Sequence, residues 1–192
     1  MGMDTGNPAP PPLPLAVEVS ATRAAISWFR ELTVSVLIAV VFVLFLYQPV
    51  KVEGTSMMPA LVDQERIFIN KFAYRFGLTD ITRGDTVVFW PPVDPSKSYI
   101  KRVIGVPGDT VEIVHGDVLV NGSPLAEPYV PSEYRDQVSM PQRAVEPDQF
   151  FVLGDHRSSS NDSRTWGTVP RRAIYGKAVF VYWPLDRLGM VQ

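Results

Sequence analysis

The chain has 192 residues, enough for one domain of ordinary size plus an appendage. A formal net charge of −2 leaves no basic field for nucleic acid. The absence of cysteine excludes thiol catalysis, thiolate metal sites and a disulfide framework. With only His115 and His156 there is little for a histidine metal site either, so no metal and no cofactor is expected.

Residues 1–22 carry Pro8, Pro10, Pro11, Pro12 and Pro14 with few large apolar groups. Such a stretch neither nucleates a helix nor packs a core, and it reads as a disordered tail. The character then changes. Arg23, Trp28, Arg30 and Glu31 lead into Leu32 to Tyr47, which is uncharged and almost wholly apolar. A bilayer core needs about 20 such residues. A helix begun near Ala25 supplies them, with Trp28 and Tyr47 at the interfaces, and residues 23–48 are predicted to be a transmembrane anchor. A buried soluble helix is the alternative; the length of a run that is apolar on every side favours the membrane. A cleaved leader would end in small residues, whereas Leu46-Tyr47-Gln48-Pro49 follows here. Arg23 and Arg30 before the span, against Lys51 after it, place the N-terminus in the cytoplasm and residues 49–192 outside.

Beyond the anchor the pattern is that of short strands. Glu65–Lys71 alternates, Arg83-Gly84-Asp85 turns into Thr86–Trp90, and Pro91, Pro92 and Pro95 close that strand. Ser98–Ile104 is another candidate, stopped by Gly105 and Pro107-Gly108-Asp109. Thr110–Val114 and Val118–Val120 make a hairpin around His115-Gly116-Asp117, and Asn121-Gly122 turns again. Residues 124–148 are proline-rich and aperiodic and read as a long surface excursion. Gln149–Leu153 and Ala173–Trp183 are the last strands. The prediction is a mainly β chain, a transmembrane helix followed by an all-β domain of antiparallel sheets, with a small insertion at about 110–148.

Three stretches could carry chemistry. The first is Gly54-Thr55-Ser56-Met57-Met58-Pro59. Gly54 permits backbone angles that other residues avoid, Pro59 restrains Met58, and the turn presents Ser56 on a rim. Ser56 lies eight residues past Gln48, at most about 29 Å of extended chain, so it works close to the membrane surface. Its hydroxyl needs a base. His156, next to Asp155, and His115, in a turn, are poorly arranged for a triad, because the aspartate must stand on the far side of the imidazole. The second stretch, Tyr99–Ile104, offers Lys101 between large apolar groups. Alternation puts Lys101 on the face of Tyr99 and Val103. Turned inward, its amine would lose solvation and its pKa would fall, making it a base near neutral pH. Turned outward, it is a solvated edge lysine. The third stretch, Gly154 to Arg164, is dense in hydroxyls and charges. It is either a polar surface loop or the second wall of a site.

In this order after one anchor, these stretches resemble bacterial type I signal peptidase over nearly the whole chain from the anchor onward. Ser56-Met57-Met58-Pro59 is similar to the family's nucleophile motif. Tyr99 to Asp109 is similar to its lysine motif, and Gly154-Asp155-His156-Arg157 with Ser160-Asn161-Asp162-Ser163-Arg164 to its last motif. The resemblance implies a membrane-bound serine endopeptidase with a Ser56 nucleophile and a Lys101 general base. In it, Ser160 matches the hydroxyl that orients the lysine, and Asp155, Asp162, Arg102 and Arg164 match a supporting charged network. It implies no cofactor. Its substrates would be signal-peptide-bearing preproteins emerging from a translocase, cut after small residues at the first and third positions before the bond. The enzyme would sit in a bacterial plasma or thylakoid membrane, with an apolar surface, here Met57, Met58 and Trp90, meeting the bilayer. Two departures stand out. His156 occupies a position where the family usually has asparagine, and Gly54 one where some members carry a serine that helps to hold the oxyanion. With Gly54 the oxyanion would rest on backbone N–H groups, chiefly that of Ser56. Two rivals differ in kind. A self-cleaving regulator with a related β fold would need a DNA-binding segment, and a non-catalytic tethered β module would not depend on Ser56 or Lys101.

Overall fold

The computed structural model describes residues 21–75 and 79–191. The expected tail over 1–22 lies outside the described residues except for Ala21 and Thr22, which begin a helix. That helix, α1, runs from Ala21 to Leu46. It divides the chain into two compact units, with the boundary between Phe42 and Val43. Its stretch Arg23–Val41 is long and apolar enough to cross a membrane, and none of it is buried against protein. Ile26, Leu37 and Ile38 stand exposed along it. The helix ends sooner than expected: Tyr47 already belongs to the first strand.

The second unit is built from antiparallel strands. They are β1 (Tyr47–Lys51), β2 (Arg66–Asn70), β3 (Thr86–Phe89), β4 (Tyr99–Gly105), β5 (Thr110–Val114), β6 (Asp117–Val120), β7 (Ser123–Pro124), β8 (Met140–Ala144), β9 (Gln149–Leu153), β10 (Val169–Pro170), β11 (Ile174–Trp183) and β12 (Gly189–Met190). Two one-turn helices, α2 (Phe72–Arg75) and α3 (Ser163–Trp166), accompany them. The larger sheet runs β1-β2-β11-β3-β4-β9-β10, with β12 on β11, and the smaller runs β7-β6-β5-β8.

Period-two alternation explains how these strands bury both faces. On β9, Phe150 and Val152 join one core with Val87, Phe89, Val103 and Ile174. Phe151 and Leu153 on its other face pack with Ile104 and the small sheet's Val111, Ile113 and Val118. A third cluster gathers Met57, Leu61, Ile67, Ile69 and Val88. The segment that carries Ser56 is therefore pinned from below by its neighbour Met57, which is 3% exposed. This corrects one expectation: Met57 is core, not part of an exposed apolar surface.

The excursion expected over 124–148 is less irregular than its sequence suggests. It contains β8, paired with β5, and reaches β7 at its start. β1 was likewise hidden at the end of the apolar run. Both sheets are bounded by strands that contain proline: Pro49 in β1, Pro170 in β10, Pro124 in β7 and Pro141 in β8. A proline cannot donate to a ladder, so it is confined to edges, where it also blocks pairing with another chain.

Gly105 marks the passage from β4 into the small sheet, opposite Phe151. A Cβ built there would lie 2.7 Å from Val111 Cγ2 and 3.0 Å from Val145 Cγ2. Gly105→Ala is expected to destabilise the domain by about 1–3 kcal/mol through overpacking. The check is thermal unfolding in detergent, where the midpoint should fall by about 2–4 °C for each kcal/mol.

Candidate active site

The Ser56 turn is set by its flanks. Gly54 has a φ of +92°, which a side chain would strain, and its N–H donates to Asp63 Oδ1 at 2.8 Å. That hydrogen bond holds the Asp63 carboxyl below its ordinary pKa. Met58 N donates to Thr55 O at 3.0 Å and Leu61 N to Met57 O at 2.9 Å, which closes two overlapping turns around the serine. No backbone or side-chain acceptor among the described residues takes the Ser56 N–H, which leaves that donor available at the rim.

β4 delivers Lys101 from the next wall. The amine donates to Ser56 Oγ at 2.6 Å and to the Ile100 carbonyl at 3.1 Å. It stands 5.6 Å from the centroid of the Tyr99 ring, on the face that alternation assigns. Lys101 is 4% exposed. Burial lowers its pKa to about 8; Asp162 and Asp155 pull it back up and Arg164 adds to the fall. Asp162 and Asp155 act through space, and neither makes an ion pair with the lysine.

The loop after β9 forms the third wall, and it is clamped by arginines. Arg102, beside Lys101 on β4, grips Asp155 with two bonds, Nε to Oδ1 at 2.8 Å and Nη2 to Oδ2 at 2.6 Å. Its third arm reaches Gly84 O at 3.0 Å, and its plane lies 4.2 Å from the centroid of the Tyr129 ring. Arg164 holds Asp162, Asp136 and the Arg157 carbonyl. Asp162 also accepts from Gly154 N and caps α3 by accepting from Arg164 N. Arg157 makes a two-point pair with Glu127. A surface Asp162–Arg164 pair would contribute little, but Asp162 and Asp155 are both fully buried.

The turn and the loop meet at Gly154. A Cβ there would lie 2.3 Å from Ser160 Oγ and 2.4 Å from Ser56 O, so only glycine allows the approach. His156 N donates to Ser56 O at 3.1 Å, and its Nδ1 lies 3.2 Å from Thr55 O. The histidine thus binds the carbonyls of the serine's turn, while the serine hydroxyl is held by Lys101. The Ser160 hydroxyl is buried and has no hydrogen-bond partner. It does not bond the lysine here, unlike the arrangement the resemblance implies. His115 sits in its hairpin turn with a φ of 48°.

A groove of about 560 Å³ opens over Ser56 and Lys101, between Val50–Gly54 on one side and Lys97–Ile100 on the other, with Asn161 at its end. Met57 lines its floor from the core. Trp90 lies elsewhere on the domain, 43% exposed. Glu127, Asp136 and Arg157 were missed as supporting residues. Arg157 lay within the third stretch, but Glu127 and Asp136 come from the aperiodic excursion, where no local pattern marks them.

Comparison with known proteins identifies the family. A family model described as signal peptidase, peptidase S26, matches residues 25–183. Signal peptidase I of Leptolyngbya laminosa is 38% identical over 187 residues, 94% of this chain and 90% of its own length. Signal peptidase I P of Bacillus subtilis subsp. natto is 34% identical, covering 85% of this chain and 91% of its own. A solved signal peptidase I from Enterococcus faecalis V583 is 30% identical and covers 52% of this chain and 97% of its own, with a TM-score of 0.46. The chain belongs to the signal peptidase family, peptidase S26, and within it to the bacterial type I signal peptidases, which are hydrolases.

Proposed function

We propose that this chain is a membrane-anchored serine endopeptidase that removes signal peptides from exported preproteins, with Ser56 as nucleophile and Lys101 as general base. The observation that carries the reading is the 2.6 Å bond between a nearly inaccessible amine and the serine hydroxyl. α1 is the anchor, with the N-terminus in the cytoplasm and the β domain outside. The short link from α1 to Ser56 keeps the reaction near the bilayer, where preproteins leave the translocase.

The chemistry follows from the placement of the groups. Neutral Lys101 takes the Ser56 proton as Oγ attacks the scissile carbonyl. Negative charge collects on the carbonyl oxygen, where the unoccupied Ser56 N–H can receive it. The lysine ammonium then gives its proton to the departing amine, the new N-terminus of the mature protein. An acyl-enzyme remains on Ser56. Water, deprotonated by Lys101, attacks that ester, and the proton returns to Ser56 as the signal peptide leaves. The Ser160 hydroxyl, buried and without a hydrogen-bond partner among the described residues, is the group to orient the amine once substrate fills the groove. Arg102–Asp155 and Arg164–Asp162 keep the wall behind it fixed. Cleavage after small residues at −1 and −3 would follow from shallow apolar pockets beside Ser56 that exclude larger side chains. Met58 and Trp90 are the candidates for contact with lipid, Met57 being buried.

Ser56→Ala and Lys101→Met should each reduce cleavage of a signal-peptide substrate in detergent by about a thousandfold or more, with the fold retained by circular dichroism. Activity that survives either change would refute the dyad. The pH profile tests the lowered amine. Protonated Lys101 cannot accept the serine proton, so kcat/KM should rise with pH to a plateau, with a midpoint at about 8. Below that midpoint it should fall about tenfold per pH unit. A flat profile between about pH 5 and about pH 9 would contradict it.

A further inference from the structure

A second cleft, of about 720 Å³, lies apart from the catalytic groove, between α2, the end of β3 and the turn from β10 into β11. Three cations border it: Lys71, Arg171 and Arg172. Among the described residues none of the three is in an ion pair. The single carboxylate on the lining, Asp148, leaves the cleft with an excess of positive charge. Arg83, Arg102, Arg135, Arg157, Arg164 and Arg187 of the same domain are each paired with a carboxylate, whereas these three cations converge on one cavity, where an anion from outside would be attracted by all three.

The cleft is built on fixed parts. Arg171 N donates to Asp148 O at 2.8 Å, which ties the arginine turn to the β9–β10 ladder. Its aromatic wall is Trp90 stacked on Tyr175, with ring centroids 4.4 Å apart, and Lys71 Nζ lies 5.3 Å from the Tyr175 centroid. On its far side the cleft runs into an apolar loop, Trp90-Pro91-Pro92-Val93, where Trp90 and Val93 are exposed. Guanidinium and ammonium groups beside an exposed tryptophan suit the level in a bilayer where phosphates meet acyl chains.

We propose that this cleft binds the headgroup of an anionic phospholipid. Arg171 and Arg172 would take the phosphate, Lys71 would lie against the headgroup, and Trp90 and Val93 would dip beside the glycerol. The proposal rests on the reading of α1 as a membrane anchor. Tyr175 links the cleft to the catalytic groove, since its hydroxyl donates to Ser98 Oγ at 2.8 Å and Ser98 lines that groove. An occupied headgroup site would therefore hold the groove at a set height on the lipid surface.

The test uses the full chain in neutral detergent, titrated with short-chain phosphatidylglycerol, and reads Trp90 fluorescence as wild type minus Trp90→Phe. A saturable change is expected with phosphatidylglycerol and none with phosphatidylcholine. The triple variant Lys71→Gln, Arg171→Gln, Arg172→Gln should bind at least about tenfold more weakly while cleaving in plain detergent at the wild-type rate. Arg172→Gln alone, at an exposed position, keeps the test open if the triple variant does not fold. Equal responses to the two lipids, or equal binding by the variants, would overturn the proposal. So would inorganic phosphate or a polyglutamate peptide acting as strongly as the lipid, which would make this a free-anion or an acidic-peptide site. The other readings fail separately: Ser56→Ala should lose cleavage and keep the fluorescence response, and release of the chain from membranes by alkaline carbonate would overturn the anchor.

Discussion

Among the described residues, Lys101 is the one buried charged side chain without an ion-pair partner. Among the described residues, every other ionisable group taken into the interior is paired: Arg102 with Asp155, Arg157 with Glu127, Asp162 with Arg164, Asp109 with Arg83, Glu65 with Arg187 and Asp85 with Lys177. The lysine's side-chain partner is a neutral hydroxyl. Burying an ammonium without a counter-charge favours its neutral form, and the amine's lowered pKa follows from that imbalance. An amine salt-bridged to a carboxylate would keep its proton and be useless as a base.

The paired groups make that isolation possible. Asp155 and Asp162 lie near enough to raise the lysine's pKa, and left unpaired they would undo the effect of burial. Arg102 and Arg164 satisfy both carboxylates and so weaken their reach. Planar guanidinium groups suit this work, because a two-point grip fixes the carboxylate's direction as well as its charge. Breaking one buried pair by removing a single partner typically costs about 3–5 kcal/mol, so the loop from Gly154 to Arg164 has few ways to relax. Glu127 and Asp136 extend the grip into the insertion, tying it to the loop from Gly154 to Arg164.

How far the sequence revealed this depended on whether the signal was local. Central strands such as β4 and β9 alternate between two buried faces, and their period shows plainly in Val103-Ile104 and in Phe150 to Leu153. The proline-bearing edge strands were hidden, because a proline at Pro49 or Pro141 argues against a strand until its place at an edge is known. The same holds in the site. Ser56, Lys101 and the loop from Gly154 could be recognised as motifs, whereas Glu127 and Asp136 act from 30 and 28 residues away along the chain. Met57 read as an exposed apolar residue because nothing in the turn tells which of its two methionines points inward. That is decided by the packing of Leu61, Ile67 and Val88.

His156 shows how a departure from a family pattern can keep its physical content. Its ring nitrogen Nδ1 faces the Thr55 carbonyl, an acceptor, so that nitrogen carries the hydrogen in the tautomer that bonds. A side-chain amide on the same backbone could present an N–H in that direction too, as the asparagine expected there from the resemblance would. The backbone bond from His156 N to Ser56 O does not depend on the side chain at all. Edge contact with the Tyr134 ring, centroids 4.6 Å apart, supports the larger imidazole on its outer side. The residue that first suggests a triad is therefore placed as a brace: it holds the turn from which the Ser56 hydroxyl meets the Lys101 amine.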